Sequence, residues 1–448
     1  MIVIEHCAVA TVDGAGTEYA DGHIAVEGNR IVAVGPGRYE GAPGATRVDG
    51  TGCLATPGLV NTHHHLYQWA TRGYAQQDIL FGWLKELYPV WARIDAGVVH
   101  AAATAGLAQL ALSGCTTSTD HQYVFPRDGG DVLAAEIDAA ASVGLRFHPC
   151  RGSMDLSVKD GGLPPDAVVE DTDAALAATK DAIDRFHDPS PGAMVRIAVA
   201  PCSPFSVTPR LMREAAELAR AEGVRLHTHL AETVEEEAYC REVHRCTPVD
   251  YAESLGWLGG DVWLAHAVHL DTDAIAKLGA TGTGVAHCPS SNGRLGAGIA
   301  PVRDLLDARV PVGLGVDGAA SQEAGQLGAE LRQALYLARL RGGPAALTAR
   351  ESLALGTIGG ARCLGRDDEL GSLEAGKLAD IALWRLDGLG HAGIDDPVAA
   401  LVLGPPAPLR LLLVGGRAVV QDGTLSTVDE TAVAASLGRA ARKLREAR

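Results

Sequence analysis

The sequence predicts an α/β fold in which a (β/α)8 TIM barrel carries a small β-sandwich domain assembled from both chain termini. The length of 448 residues suits a barrel of about 250 residues plus an accessory module. Through the middle of the chain, apolar strand-like runs alternate with helix-like segments, which is the pattern of a parallel sheet with crossover helices. Short-strand patterns recur at both ends, outside this region, and predict the second module.

The terminal strands are short apolar runs between Gly and Asp turns. They lie at residues 2–4, 23–27, 31–34, 380–384, 411–414 and 417–420. Because the two sets resemble each other and flank a long middle, we predict one β-module built from both. The predicted organisation is residues 1–56 and 367–425 for the β-sandwich, 57–366 for the barrel and 426–448 for a C-terminal helix.

Eight runs predict the barrel strands, and eight is the number that closes a (β/α)8 barrel. They lie at residues 59–61, 116–119, 145–148, 195–200, 225–229, 262–266, 285–287 and 312–316. Ala-rich segments between them, such as 97–112 and 210–221, are typical of crossover helices.

Composition narrows the class of protein. Hydrophobic residues make up 47% of the chain, enough for a large core, and the formal net charge of -17 argues against nucleic acid or an anionic membrane as partner. We find no secretory signal and no apolar run near the roughly 18 residues that span a bilayer. The nine cysteines form no Cys-x-x-Cys pair, so we expect reduced thiols and a cytoplasmic location.

Two histidines after the first barrel strand indicate a metal site. Side chains along a strand alternate between faces, so His63 and His65 point the same way and His64 points away. Neutral imidazole is the commonest protein ligand for zinc and similar metals. Taken alone, the pair is equally compatible with a His-rich loop that has no function.

Polar residues also stand where other predicted strands end. His229 ends the fifth strand and Glu232 follows it, His266 ends the sixth, and Asp317 ends the eighth. A lone strand-end histidine is usually structural, and Asp before Gly usually forms a turn. The C-terminal strand ends of a (β/α)8 barrel converge on one mouth, however, where the active site lies. Recurrence at several strand ends therefore favours a metal site.

These motifs resemble the amidohydrolase superfamily, in its metal-dependent deaminase and aminohydrolase branch, over nearly the whole chain. The matching segments are Pro57–His65, His229 with Glu232, His266, His287–Asn292, Asp317–Gly318 and Gly371–Ile381. Two-ion members of the superfamily carry a carbamylated lysine at the fourth strand, and residues 194–202 contain no lysine. The resemblance therefore implies a single-ion site.

The resemblance also implies the roles of the site residues. His63, His65, His229 and Asp317 would hold one divalent ion, with Zn²⁺ expected and Fe²⁺ or Mn²⁺ as alternatives. Glu232 would shuttle protons, and Asp317 would relay the second proton of water to the leaving amine. His266 would hydrogen-bond the attacking oxygen; whether it also ligates the ion is left open by the sequence.

Several loops resemble those of 8-oxoguanine deaminases within this branch. The expected reaction is deamination of 8-oxoguanine to urate and ammonia, with isocytosine as a secondary substrate. The candidate substrate contacts are Gln68, Tyr123, Arg151 and Cys202. Each has a structural alternative: a surface-loop glutamine, aromatic packing, a salt bridge and an inert buried cysteine, respectively.

Two alternatives to this function stay open at the level of sequence. The first is a triazine hydrolase or another purine or pterin aminohydrolase of the same branch, although Glu232 favours deamination over dechlorination. The second is a catalytically inactive barrel used as a scaffold, against which the intact ligand set argues. The expected partners are a small heterocycle, water and further copies of the chain in a homo-oligomer.

Overall fold

The chain begins with five strands of the accessory module. The computed structural model describes residues 1–41 and 43–446. Its first strands are β1 (Ile2–Ala10), β2 (Glu18–Glu27), β3 (Arg30–Pro36), β4 (Thr46–Asp49) and β5 (Cys53–Pro57). β1 pairs antiparallel with β2 and parallel with both β4 and β5.

Eight parallel strands then form a closed barrel, as predicted. They are β6 (Leu59–Asn61), β7 (Cys115–Gln122), β8 (Arg146–Ser153), β9 (Ala198–Pro201), β10 (Arg225–Leu230), β11 (Val262–His266), β12 (Gly284–His287) and β13 (Val312–Leu314). Leu314 of β13 pairs with Asn61 of β6, which closes the barrel. The Asn61 side chain reinforces this closure, because it accepts a hydrogen bond from Val316 N and donates one to Ser118 Oγ.

Four strands near the other end of the chain complete the accessory sheet. They are β14 (Ile381–Arg385), β15 (Leu409–Val414), β16 (Arg417–Gln421) and β17 (Thr424–Leu425). β14 pairs antiparallel with β5, so strands from both termini join one continuous nine-stranded sheet. Residues of β1, β2 and β3 share an apolar core with residues of β14 and β15. The predicted module from both termini is confirmed as a separate sheet.

Helices fill the connections between barrel strands and some later connections, and the last helix follows β17. They are α1 (Leu80–Trp91), α2 (Ala96–Leu112), α3 (Val132–Val143), α4 (Thr172–Phe186), α5 (Pro209–Glu222), α6 (Val234–Tyr239), α7 (Pro248–Ser254), α8 (Thr272–Thr281), α9 (Pro289–Arg294), α10 (Val302–Asp307), α11 (Leu327–Gly342), α12 (Ala349–Ala354), α13 (Gly360–Cys363), α14 (Pro397–Leu403) and α15 (Glu430–Glu446). Local sequence sets their ends. α5, for example, starts where the Thr208 side chain accepts a hydrogen bond from Leu211 N, and it ends at left-handed Gly223.

The C-terminal helix α15 packs on the barrel. Leu437, Ala440 and Leu444 are buried, and Lys443 pairs with Asp95, the residue that caps α2. The predicted C-terminal segment runs to residue 448, and its residues 447 and 448 lie outside the described part of the chain. Among the residues that are described, no helix combines the length and the hydropathy needed to cross a membrane.

Candidate active site

The four side chains predicted as metal ligands meet at the C-terminal mouth of the barrel. His63 and His65 follow β6, His229 belongs to β10, and Asp317 follows β13. All four are buried. Side-chain alternation along the strands brings His63 and His65 to the same side, while His64 points elsewhere and accepts a hydrogen bond from His65 N.

Their ligand atoms converge on one point. His65 Nε2 lies 3.1 Å from His229 Nε2. Asp317 Oδ1 lies 3.3 Å from His63 Nε2 and 3.4 Å from His65 Nε2. Within the described part of the chain, the buried His63 Nε2 has no hydrogen-bond partner. Imidazole nitrogens and a carboxylate oxygen aimed at one another fit a bound cation, which would satisfy all of them at once.

The opposite ring nitrogens fix the orientation of two of these histidines. His65 Nδ1 lies 2.8 Å from the main-chain oxygen of His121, and His229 Nδ1 lies 2.7 Å from that of Cys202. A carbonyl oxygen only accepts, so each Nδ1 carries the proton and each Nε2 lone pair faces the cluster. Burial lowers the pKa of both rings, which keeps them neutral and able to ligate.

The backbone is strained at several of these strand ends. Ala231, His266, Ala267 and Asp317 adopt left-handed φ angles of 55°, 72°, 48° and 65°. Non-glycine residues rarely occupy this region, and such residues concentrate at functional sites. Here the strain accompanies the turns that carry Glu232, His266 and Asp317 into the mouth.

Asp317 is held as a carboxylate. Its Oδ1 faces His63 and His65, and its Oδ2 accepts hydrogen bonds from Ser291 Oγ at 2.5 Å and from Ser321 Oγ at 3.2 Å. Burial works against its ionisation, but the attraction of His63 and the other nearby histidines dominates and lowers the pKa of Asp317 well below its usual range. The group is therefore charged and available as a ligand at neutral pH.

Glu232 and His266 lie beside the ligand cluster. Glu232 Oε2 is 3.7 Å from His266 Nε2, which in turn is 3.9 Å from Asp317 Oδ2. Burial raises the pKa of Glu232 to about 7, although the nearby His266 opposes the shift. A carboxyl group with a pKa near neutrality gains and loses protons readily, as a proton shuttle must. A ring nitrogen of His266 also lies close enough to ring nitrogens of His63 and His229 for the three to share an ion.

A pocket opens from this cluster. It encloses about 390 Å³, including open solvent at its mouth. Besides the cluster, its lining includes the aromatic side chains Trp83, Tyr88, Tyr123 and Phe205, the polar side chains Gln68, Cys202, Ser203 and Ser321, and the apolar Leu80, Leu84 and Leu295. No lysine or arginine is among the lining residues, so the pocket has no permanently charged cationic side chain for an anionic substrate.

Three of the four predicted substrate contacts line this pocket. Gln68 Nε2 is buried and, among the described residues, has no hydrogen-bond partner, so it is a donor free to bind a ligand. The Tyr123 ring packs edge-on against His65, with centroids 5.0 Å apart. Burial raises the pKa of Cys202 to about 12, so it stays a protonated thiol.

The fourth predicted contact, Arg151, is not among the residues that line the pocket. Its guanidinium forms a bidentate ion pair with Glu170, at 2.7 and 2.8 Å, and lies over the Phe125 ring. Both charges are thereby satisfied within the protein. The structural salt bridge, which the sequence left open as an alternative, is present, and the substrate contact stays a prediction.

Sequence reasoning missed Glu236, which supports the turn that carries Glu232. Its two carboxylate oxygens accept hydrogen bonds from Ala231 N at 2.8 Å and from Glu232 N at 3.0 Å. Ala231 is one of the left-handed residues, so these bonds hold a strained turn. The spacing of Thr233 and Glu236, typical of a helix-capping box, is the signal that marks this glutamate as structured and not merely solvated.

A buried carboxyl pair supports the segment after His65. Asp120 Oδ1 accepts a hydrogen bond from Leu66 N at 2.6 Å, and its carboxyl group interacts electrostatically with that of Glu136 in α3. Both groups are fully buried. Burial raises the pKa of each, and their mutual repulsion adds to the shift for Glu136. The two groups are therefore not both ionised at neutral pH.

This pair predicts a loss of stability on the alkaline side. Because the folded-state pKa values are raised, the stabilisation is complete below the unfolded values near about 4 and is lost as pH rises through the folded ones. We expect Glu136→Gln, which removes one of the two buried titrating groups, to flatten the fall in Tm between about pH 4 and about pH 8. Asp138→Asn, exposed on the same helix, is the matched control and should keep the wild-type slope. Equal slopes in the wild type and both variants would contradict the raised pKa values of the pair.

Comparisons of the sequence and the structure with known proteins all indicate the same family. The model of the amidohydrolase family matches residues 54–419. The chain is 47% identical to an 8-oxoguanine deaminase of Pseudomonas aeruginosa, over 96% of this chain and 95% of that protein. It is 40% identical to an isoxanthopterin deaminase of an unknown prokaryotic organism, over 94% of this chain and 92% of that protein. A crystal structure of atrazine chlorohydrolase from Arthrobacter aurescens TC1, complexed with zinc, superposes with a TM-score of 0.93 at 35% identity, covering 98% of this chain and all 100% of that one.

Proposed function

The chain belongs to the amidohydrolase family, as a member of its deaminase and aminohydrolase branch, and from this premise we propose that it hydrolyses 8-oxoguanine to urate and ammonia. The observation that carries the reaction type is the convergence of His63, His65, His229 and Asp317 beside Glu232 in a pocket. The similarity to an 8-oxoguanine deaminase over nearly the whole chain supports the substrate.

We assign the metal to these four side chains, as one divalent ion per subunit. Zinc is the proposed ion because imidazole and carboxylate suit it and because a similar structure holds zinc. A bound ion of this kind lowers the pKa of a water molecule from about 15.7 toward about 7. The neutral rings of His65 and His229, each fixed by a main-chain carbonyl, are ready to ligate without losing a proton.

The protein side chains then move the protons. Glu232, with a pKa raised to about 7, takes a proton from water and gives it to the ring nitrogen beside the amino-bearing carbon. Asp317, already a carboxylate, accepts the second proton and passes it to the departing amine. His266 Nε2, which faces both carboxylates, hydrogen-bonds the attacking oxygen.

The pocket suits a neutral, planar heterocycle. Its aromatic lining can pack against a flat ring, and its lack of lysine and arginine disfavours phosphorylated nucleotides. In 8-oxoguanine the amino-bearing carbon lies between two ring nitrogens, so water can add while Glu232 protonates one of them. Gln68 Nε2 supplies a free donor for a ring carbonyl, and Cys202 supplies a weak one.

The second candidate is a pterin or triazine aminohydrolase of the same branch, favoured by the similarity to an isoxanthopterin deaminase and to a triazine-hydrolysing structure. A catalytically inactive scaffold is disfavoured because the ligand set and Glu232 are all present and buried together. We place the enzyme in the cytoplasm as a homo-oligomer. All nine cysteines are free thiols, which fits a reducing compartment.

Ammonia release from a panel of heterocycles at equal concentrations tests the substrate. We expect 8-oxoguanine to give the highest kcat/KM and isocytosine, which carries the same amidine fragment in one ring, to come second. Guanine lacks the 8-oxo group and would leave buried polar groups unpaired, so we expect it to be at least about 10-fold poorer. If guanine, adenosine, isoxanthopterin or a chlorotriazine clearly outpaces 8-oxoguanine, the substrate assignment fails while the metal mechanism survives.

A further inference from the structure

We propose that His227 is a positioning residue that determines which ring nitrogen of His63 faces the metal site. The residue is fully buried in β10, two positions before His229, and it does not line the pocket. The proposal rests on the proposed metal site and adds a residue that orients one of its ligands. It is carried by two hydrogen bonds in series.

The first bond fixes the proton of His227. Its Nδ1 lies 2.8 Å from the main-chain oxygen of Trp263. Because that oxygen can only accept, Nδ1 must carry a hydrogen, and the neutral ring then has a lone pair at Nε2.

The second bond transmits this choice to His63. His227 Nε2 lies 2.8 Å from His63 Nδ1, so His63 Nδ1 must donate. The lone pair of His63 is then on Nε2, the atom that lies 3.3 Å from Asp317 Oδ1 in the ligand cluster. The opposite tautomer would aim an N–H group at the cation and would put two lone pairs face to face at His227.

The hydrogen bonds from His63 to His227 and from His227 to Trp263 form a relay. Packing holds this relay in place. The His227 ring stacks on the Trp263 indole, with centroids 4.4 Å apart and planes 18° apart. Trp263 Nε1 in turn donates to the main-chain oxygen of Thr62 at 3.0 Å, beside His63. Trp263 therefore holds His227 through its carbonyl and its ring, and it also bonds to the residue that precedes His63.

His63 differs in this respect from the other two histidine ligands. His65 and His229 are oriented by main-chain oxygens, which no side-chain substitution removes. His63 is oriented by a side chain. A single substitution at His227 can therefore change the presentation of one ligand while the four ligands themselves stay intact.

Zinc affinity, measured by competition with a chelator, tests the proposal without reference to activity. We expect His227→Leu to bind zinc about 10- to 100-fold more weakly than the wild type, the usual effect of losing the partner of a metal-bound histidine. His227→Phe keeps the stack on Trp263 and also lacks the acceptor, so we expect the same loss. His227→Gln restores a carbonyl acceptor and should lie closer to the wild type.

The matched control is His148→Leu. His148 is also a buried barrel histidine near the Trp263 ring, at 5.8 Å between centroids. Its ring nitrogens hydrogen-bond to none of the described residues, and so to none of the four proposed metal-ligating side chains. We expect it to keep wild-type zinc affinity even if the metal-free protein unfolds at a lower temperature. If His227→Leu does not fold, His227→Phe carries the comparison.

Three outcomes would overturn the relay: wild-type affinity in the Leu and Phe variants, an equal loss in His148→Leu, or an equal loss in His227→Gln and His227→Leu. Failure of the proposed function looks different, because the wild-type protein itself would then show no tight zinc site.

Discussion

Glu232→Gln should keep its metal ion and lose at least about 100-fold in kcat. Glu232 lies beside the ligand cluster and not within it: its Oε2 faces His266 Nε2 at 3.7 Å, while the converging ligand atoms belong to other side chains. Glutamine has nearly the same shape and can still hydrogen-bond, but it cannot accept and return a proton. The expected result is a loss of turnover with little change in metal content.

Elemental analysis and steady-state kinetics on the same preparations check this prediction. Glu235→Gln is the matched control, because Glu235 is only partly buried and does not line the pocket. It should retain wild-type kcat. A Glu232→Gln protein that turns over at nearly the wild-type rate would remove the proposed shuttle, and one that has lost its ion would make Glu232 a ligand.

His63→Ala should lose the tightly bound ion, and with it all ammonia release above background. Its Nε2 lies in the ligand cluster, and alanine leaves His65, His229 and Asp317 one ligand short. His64→Ala is the matched control. His64 is equally buried, but its ring nitrogens contact His65 N and Trp69 Nε1 instead of the cluster.

The comparison of these two variants uses metal content per folded protein, so that a change in stability does not imitate a change in affinity. We expect His64→Ala to bind one ion, even if its Tm is lower. Equal metal contents in the two variants would contradict the assignment of alternate faces to His63 and His64.

The sequence predicted the barrel because its strands and helices follow from local patterns. It predicted that the strand-end residues meet because the barrel's topology brings the strand ends together. Eight apolar runs separated by helical segments define the barrel, and its geometry brings the strand ends together. His63, His229 and Asp317 are far apart in the chain, yet each stands at a strand end, so the topology alone predicts that they meet.

The remaining contacts depend on packing that no pattern encodes. The partner of Arg151, for example, is Glu170 in the loop before α4, and no sequence pattern joins these two residues. His227 looks like any buried strand residue until the register of β10 and β11 sets its Nδ1 against Trp263. Such contacts depend on how distant segments pack in the folded protein, so sequence spacing cannot predict them.

Aminohydrolase activity is expected to depend on one metal ion per subunit, held by these residues. The most direct measurement is to strip the protein with a chelator, titrate Zn²⁺ back, and record ammonia release from 8-oxoguanine against equivalents of zinc bound. We expect the stripped protein to be inactive and activity to rise linearly and saturate at one equivalent per subunit. Saturation at two equivalents, or full activity in the stripped protein, would contradict the account.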